Sequence, residues 1–159
     1  MAVWVDFSVP ANLVISERDF ALDLLGKIRT RLEGAGVRCD VATMPKGAHG
    51  FMRCFTTSGT IITTGVYWFD ASDDGSLLTS SIACRESPIA SWMRWMRRDH
   101  PRARVNLLQV SIAIKEILDA DPRLTDIQWC LVDKGRRPLP DDWWSGAALR
   151  RRLRTHAER

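Results

Sequence analysis

No apolar run in this chain approaches the roughly 20 residues needed to span a bilayer. Its 10 glycines and 7 prolines are too few for a collagen-like chain, and 45% hydrophobic residues is too many for a disordered one. The opening residues Met1 to Asp6 contain no basic segment and place an acid where a secretory leader is apolar, so the expected location is cytoplasmic. Cys-x-x-Cys is missing as well. The four cysteines, Cys39, Cys54, Cys84 and Cys130, are never closer than fifteen positions, which argues against a zinc ribbon or a thioredoxin-type centre. Each lies in an apolar stretch, and buried, reduced thiols are expected. His49 and Cys54 could supply two metal ligands, but nothing completes the set, so neither a metal nor another cofactor is expected.

Catalytic signatures are equally scarce. The histidines are His49, between Gly47 and Gly50, His100, before Pro101, and His156, near the end of the sequence. No serine stands in a Gly-x-Ser-x-Gly elbow, and no Gly-x-Gly-x-x-Gly or P-loop ending occurs. A histidine without a positioned acid or nucleophile is not a catalytic centre, and His49 reads as a loop residue. The expectation is a protein that is not an enzyme.

What is present fits one globular domain. The chain has 159 residues, enough to bury roughly 70% of its unfolded surface. Its net charge of +4 is unevenly placed: residues 134–159 carry +5 and residues 91–104 carry +4, leaving −5 for the rest. An acidic body with two basic segments is therefore expected, the second being a C-terminal tail from about residue 135.

Residues 2–9 alternate Val3, Val5, Phe7 and Val9 against Ala2, Trp4, Asp6 and Ser8, which predicts a strand with its Val/Phe side inward. Ser16 caps a helix in which Phe20, Leu24, Leu25, Ile28 and Leu32 recur at helical spacing, up to Gly34 and Gly36. Val37–Met44 reads as a strand and Pro45–Gly50 as a loop. Three strands follow, Phe51–Thr57, Thr60–Asp70 and Ser76–Arg85, joined at Ser58-Gly59 and at the Asp70–Gly75 turn. Ser87-Pro88 opens a helix bearing Ile89, Trp92, Met93 and Met96, and Pro101 interrupts it. A longer helix from about Ala103 to Asp119 precedes a last strand with Ile127, Trp129 and Leu131 on one side. A short helix is expected from Trp143 to Arg154. The order predicts an α+β domain, a mainly antiparallel sheet with a central β-meander and helices packed on one face.

Two groups of residues stand out as candidates for contact with a partner. The first comprises Asp70, Asp73 and Asp74, an acidic knuckle at a hairpin turn, with Trp68 and Trp95 as exposed aromatics. Strict alternation sets Trp4 and Trp68 opposite Val3/Val5 and Tyr67/Phe69, giving a sheet face with exposed rings. The second comprises Arg94, Arg97 and Arg98, with Arg102 and Arg104 beyond them, and Arg151 and Arg152 in the Arg150–Arg154 tract. Arginine beside tryptophan suits phosphate and stacked bases.

The hydrophobic hairpin from Gly65-Val-Tyr-Trp-Phe-Asp70 to Ser81-Ile-Ala-Cys-Arg85, set in a small domain with no catalytic set, resembles in its layout the bacterial immunity proteins of polymorphic toxins and contact-dependent inhibition systems. The resemblance implies a non-catalytic module that binds and neutralises a cognate toxin, often a nuclease. The alternative is a nucleic-acid-binding accessory protein using the two arginine segments.

Overall fold

A computed structural model of the chain describes residues 2–41, 48–55, 61–86, 100–132 and 142–149, apart from the side chains of residues 41, 100–106 and 148. Seven strands form one sheet: β1 (Ala2–Pro10), β2 (Arg38–Val41), β3 (Ala48–Phe55), β4 (Ile61–Ala71), β5 (Leu77–Glu86), β6 (Thr125–Val132) and β7 (Trp144–Ser145). Their spatial order is β2-β3-β4-β5-β1-β6-β7. Every neighbouring pair is antiparallel. The two described helices are α1 (Glu17–Gly34) and α2 (His100–Ala120). This is the expected α+β arrangement, with β2 to β5 as the meander.

Helix α1 forms where its sequence supplies both ends. Ser16 Oγ accepts the Asp19 N–H at 3.2 Å, with Glu17 and Asp19 at the positive end of the dipole. At the other end Gly36, at φ +82°, donates to Glu33 O while Val37 donates to Leu32 O, the paired closure that a left-handed glycine permits. Between these caps Phe20, Ala21, Leu24, Leu25, Ile28 and Leu32 are buried. They meet Val3, Val5, Phe7 and Val9 of β1, Met52 and Cys54 of β3, Ile62 and Val66 of β4, and Leu107, Val110, Ile114 and Leu118 of α2 in one core. The alternation in β1 is realised as read.

Several boundaries differ from those the sequence suggests. Ala48, His49 and Gly50 are strand rather than loop. Gly50 is there because α1 crosses closely: a Cβ would lie 2.6 Å from Leu25 Cδ1. Helix α2 spans His100–Ala120, so it starts ahead of the expected Ala103 and takes Pro101 into its first turn. A first-turn proline gives up no helical hydrogen bond. Trp144 is not helical; it pairs with Trp129 across β6 and β7 and packs on the core, and a 3-10 turn, Gly146–Ala148, follows, with Leu149 helical after it. The Ser58-Gly59 turn, the helix from Ser87 and the tail beyond residue 149 lie outside the described residues. No described helix is long and apolar enough to cross a membrane.

Candidate functional site

Both described helices pack on the Val/Phe face of the sheet. Register assigns in rows the other face, open in the sense that neither described helix covers it. Asp40, Arg53, Thr63, Arg85 and Ala2 share one; Phe51, Gly65, Ala83, Trp4 and Cys130 the next. Tyr67, Ser81, Asp6 and Gln128 form a third, and Asp70, Thr79 and Ser8 a fourth.

One irregularity concentrates the aromatics. The β4–β5 register shifts between Tyr67, opposite Ser81, and Phe69, opposite Ser80, so Trp68 is an extra residue. Tyr67 and Trp68 therefore do not alternate; both lie on the open face, and Phe69 turns inward, edge-on to Phe20. This corrects the strict alternation that set Tyr67 opposite Trp68. Ser80 Oγ donates to Tyr67 O at 3.0 Å, satisfying a carbonyl at the irregularity.

Three rings then meet above the sheet. Trp4 and Trp68 stack with centroids 5.8 Å apart at 25°, Trp4 and Tyr67 are 5.9 Å apart, and Tyr67 and Trp68 are 5.8 Å apart. Trp4 belongs to β1 and the other two to β4, with β5 between them. The rings close over β5 because its open-face residues there are small: Ser81 and Ala83, only 2% and 3% exposed although no described helix covers them. Gly65 completes the bed. A Cβ there would sit 2.9 Å from Tyr67 Cε2 and 3.0 Å from its Cζ, so this ring position requires glycine. Trp68 remains 44% exposed on top.

Asp6 lies at the edge of this cluster, next to Ser81, whose Oγ donates a hydrogen bond to Asp6 Oδ1. Partial burial raises its pKa above the usual carboxylate value, and the Ser81 bond offsets part of that rise. The flanks of the face differ in charge. On one side are Asp70 and the turn acids. Asp74 accepts from Ser72 Oγ (2.6 Å), Ser76 Oγ (2.8 Å) and Ser76 N (3.0 Å), which lowers its pKa to about 2. Its carboxylate closes the turn around Gly75, at φ +69°. On the other side Arg38 and Arg53 lie 4.4 Å and 5.9 Å from the Phe55 ring centroid, with Arg85 exposed along the row.

Trp68 is thus inside the aromatic cluster, and Asp70 lies one row away on the same face. Asp73 is exposed in the turn and Asp74 is committed to that turn's own hydrogen bonds. Trp95, Arg94, Arg97, Arg98, Arg151 and Arg152 lie outside the described residues, as do the side chains of Arg102 and Arg104. Asp6, Tyr67, Ser81 and Gly65 were not singled out by the sequence. Their role depends on the register of strands some sixty residues apart and on the extra residue at Trp68.

Other reactive groups are arranged differently. His49 Nε2 lies 3.5 Å from Glu17 Oε2 and its ring meets Phe69 edge-on; among the described residues no hydroxyl or thiol hydrogen-bonds to it. None of the four cysteines is in a disulfide, and all are buried. Cys39 and Cys54 are direct cross-strand partners. The thiol contact with Cys39, then burial, pushes Cys54 far up, and burial pushes Cys84 up to about 12, so neither is a ready thiolate. Among the described residues no three His, Cys, Asp or Glu side chains are grouped to hold a metal ion.

An open groove of about 750 Å³ between α1 and α2 is lined in part by Lys27 and Arg31. Both are already paired, Lys27 with Asp23 and Asp121 at 3.2 Å and Arg31 with Glu116 at 2.8 Å. Asp121 also receives Arg123 Nη2 at 2.6 Å and Arg123 Nε at 2.8 Å, tying α1 to the α2–β6 connection. Comparison with protein-family models, curated proteins and solved structures finds no match for this chain.

Proposed function

We propose that this protein is a non-catalytic module that holds a folded protein partner on the open face of its sheet, and that the partner is a bacterial toxin which it neutralises. The observation that carries the reading is the Trp4–Tyr67–Trp68 cluster on a face that neither described helix covers. Tryptophan, tyrosine and arginine are enriched at the hot spots of protein–protein contacts, and Trp68 offers its ring to solvent while held against Trp4 and Tyr67. Charge supports a protein over a polyanion. Asp6 and Asp70 lie beside the rings and Arg38, Arg53 and Arg85 farther along, so a phosphate chain stacking here would pass carboxylates. The toxin assignment rests on the layout shared with immunity proteins.

The test is growth rescue. Cells making the toxin domain encoded beside this chain's gene should survive when the chain is co-expressed and die when it carries Trp68→Ala. Failure of the unaltered chain to rescue would reject the toxin assignment. Salt-sensitive retention on single-stranded RNA, abolished by Arg97→Ala with Arg98→Ala, would favour the nucleic-acid reading instead.

A further inference from the structure

Asp6 is a half-buried carboxylate among neutral neighbours. Ser81 is its hydrogen-bond donor, Gln128 and Tyr67 share its row, and among the described residues no lysine or arginine pairs with it. A carboxylate accepts as many as about four hydrogen bonds, so most of its capacity is unspent. Two residues before it on the same strand is Trp4, which stacks on Trp68 while Tyr67 tilts against both, and the π-faces of these rings are the negative part of an aromatic quadrupole. A partly desolvated anion at the edge of a ring cluster whose Trp68 is 44% exposed attracts cations and repels anions.

We infer that Asp6 and Trp68, with Trp4 behind them, form a subsite for one arginine side chain of the partner, the carboxylate taking the guanidinium N–H groups and the indole its flat face. This rests on the proposed use of the open face for a protein partner and adds the chemistry of the contact at its centre. Arginine fits better than lysine because a planar guanidinium can bond a carboxylate with one edge while its face lies on an indole, and it sheds water more readily than an ammonium. The remainder of the Trp68 surface meets the apolar stem of the same side chain. Raising of the Asp6 pKa by burial agrees with this: an incoming cation relieves the penalty that burial imposes.

The test uses N-acetyl-arginine methylamide as the probe, with the citrulline compound as its neutral isostere, against the whole chain, read on the indole N–H resonances by NMR. Arginine should shift the Trp4 and Trp68 resonances saturably, in the millimolar range expected of a single side chain, while citrulline leaves them in place. Asp6→Asn, which keeps the shape and the Ser81 contact, should weaken the arginine titration at least tenfold. Equal response to citrulline, undiminished binding by Asp6→Asn, or no shift at all would overturn the subsite. Growth rescue separates the two claims. Rescue by Asp6→Asn at full strength, with Trp68→Ala failing, leaves the face in use and removes the arginine contact; full rescue by both variants removes the face itself. The lysine probe binding as well as arginine would overturn the assignment to a guanidinium.

Discussion

The two faces of this sheet are built from the same strands by the same alternation, yet they are filled in opposite ways. On the helix side Val5, Phe7, Val9, Met52, Ile62, Val66 and Ile82 are at most 1% exposed and pack against aliphatic helix residues. That is ordinary core construction, stabilising by roughly 25 cal/mol per Å² of apolar surface removed from water. On the open side, large rings from β1 and β4 bridge the small residues of β5 and leave Trp68 part exposed, and a part-buried Asp6 accepts from Ser81 at their edge. The first arrangement is what folding demands. The second contains a half-buried acid and an exposed indole that folding does not require, and such features mark a surface suited to recognition.

The contrast can be broken most severely from the core side. Phe7→Ala should cost about 3–5 kcal/mol in urea unfolding, since Phe7 is 0% exposed and its removal leaves a cavity. A smaller loss is expected at the tie between α1 and the α2–β6 connection. Asp121→Asn removes charged hydrogen bonds from Arg123 and Lys27 and should cost about 1.5–3 kcal/mol at neutral pH.

The pH dependence of that loss has a definite sign. Bonds from Arg123 hold the Asp121 pKa well below its usual 3.8, so its contribution is present above that value and disappears as pH falls through the depressed one. The gap between Asp121→Asn and the unaltered chain should therefore close under acid. Asp6 behaves oppositely. Its pKa is raised by burial, so the charged form is penalised above the raised value and the penalty vanishes below the usual 3.8. Asp6→Asn should raise the urea midpoint slightly at neutral pH and lose that advantage as pH falls. On the open face, Gly65→Ala should cost only about 1 kcal/mol, because the Tyr67 ring it strikes can swing outward, but the near-UV circular dichroism of the ring cluster should fall.

How much of this was legible depended on whether the signal was local. The β1 alternation, the Ser16 cap and the α1 stripe are each written within a few residues, and the structure follows them. The meander was legible from its turn chemistry, Asp74 and Gly75 above all. The open face was only partly so. Trp4 and Trp68 could be assigned to it by phase, but in the aromatic run Tyr67-Trp68-Phe69 nothing local shows which ring is the extra residue. That depends on pairing with Ser80 and Ser81. Gly50 misled for a related reason: a glycine that admits a crossing helix has the same sequence appearance as one that bends a loop. Asp6 read as one more polar position in an alternating strand, because its hydrogen-bond partner Ser81 is 75 residues away.

The central claim is that the ring cluster serves recognition while the other face serves folding. Paired measurements on Trp68→Ala test it directly: unfolding free energy in urea, and affinity for the proposed toxin partner. Stability should change by no more than about 1 kcal/mol, because Trp68 is 44% exposed, while affinity drops about 30-fold or more, the scale of an interface hot spot. A variant destabilised as severely as Phe7→Ala, with toxin affinity unchanged, would contradict the account.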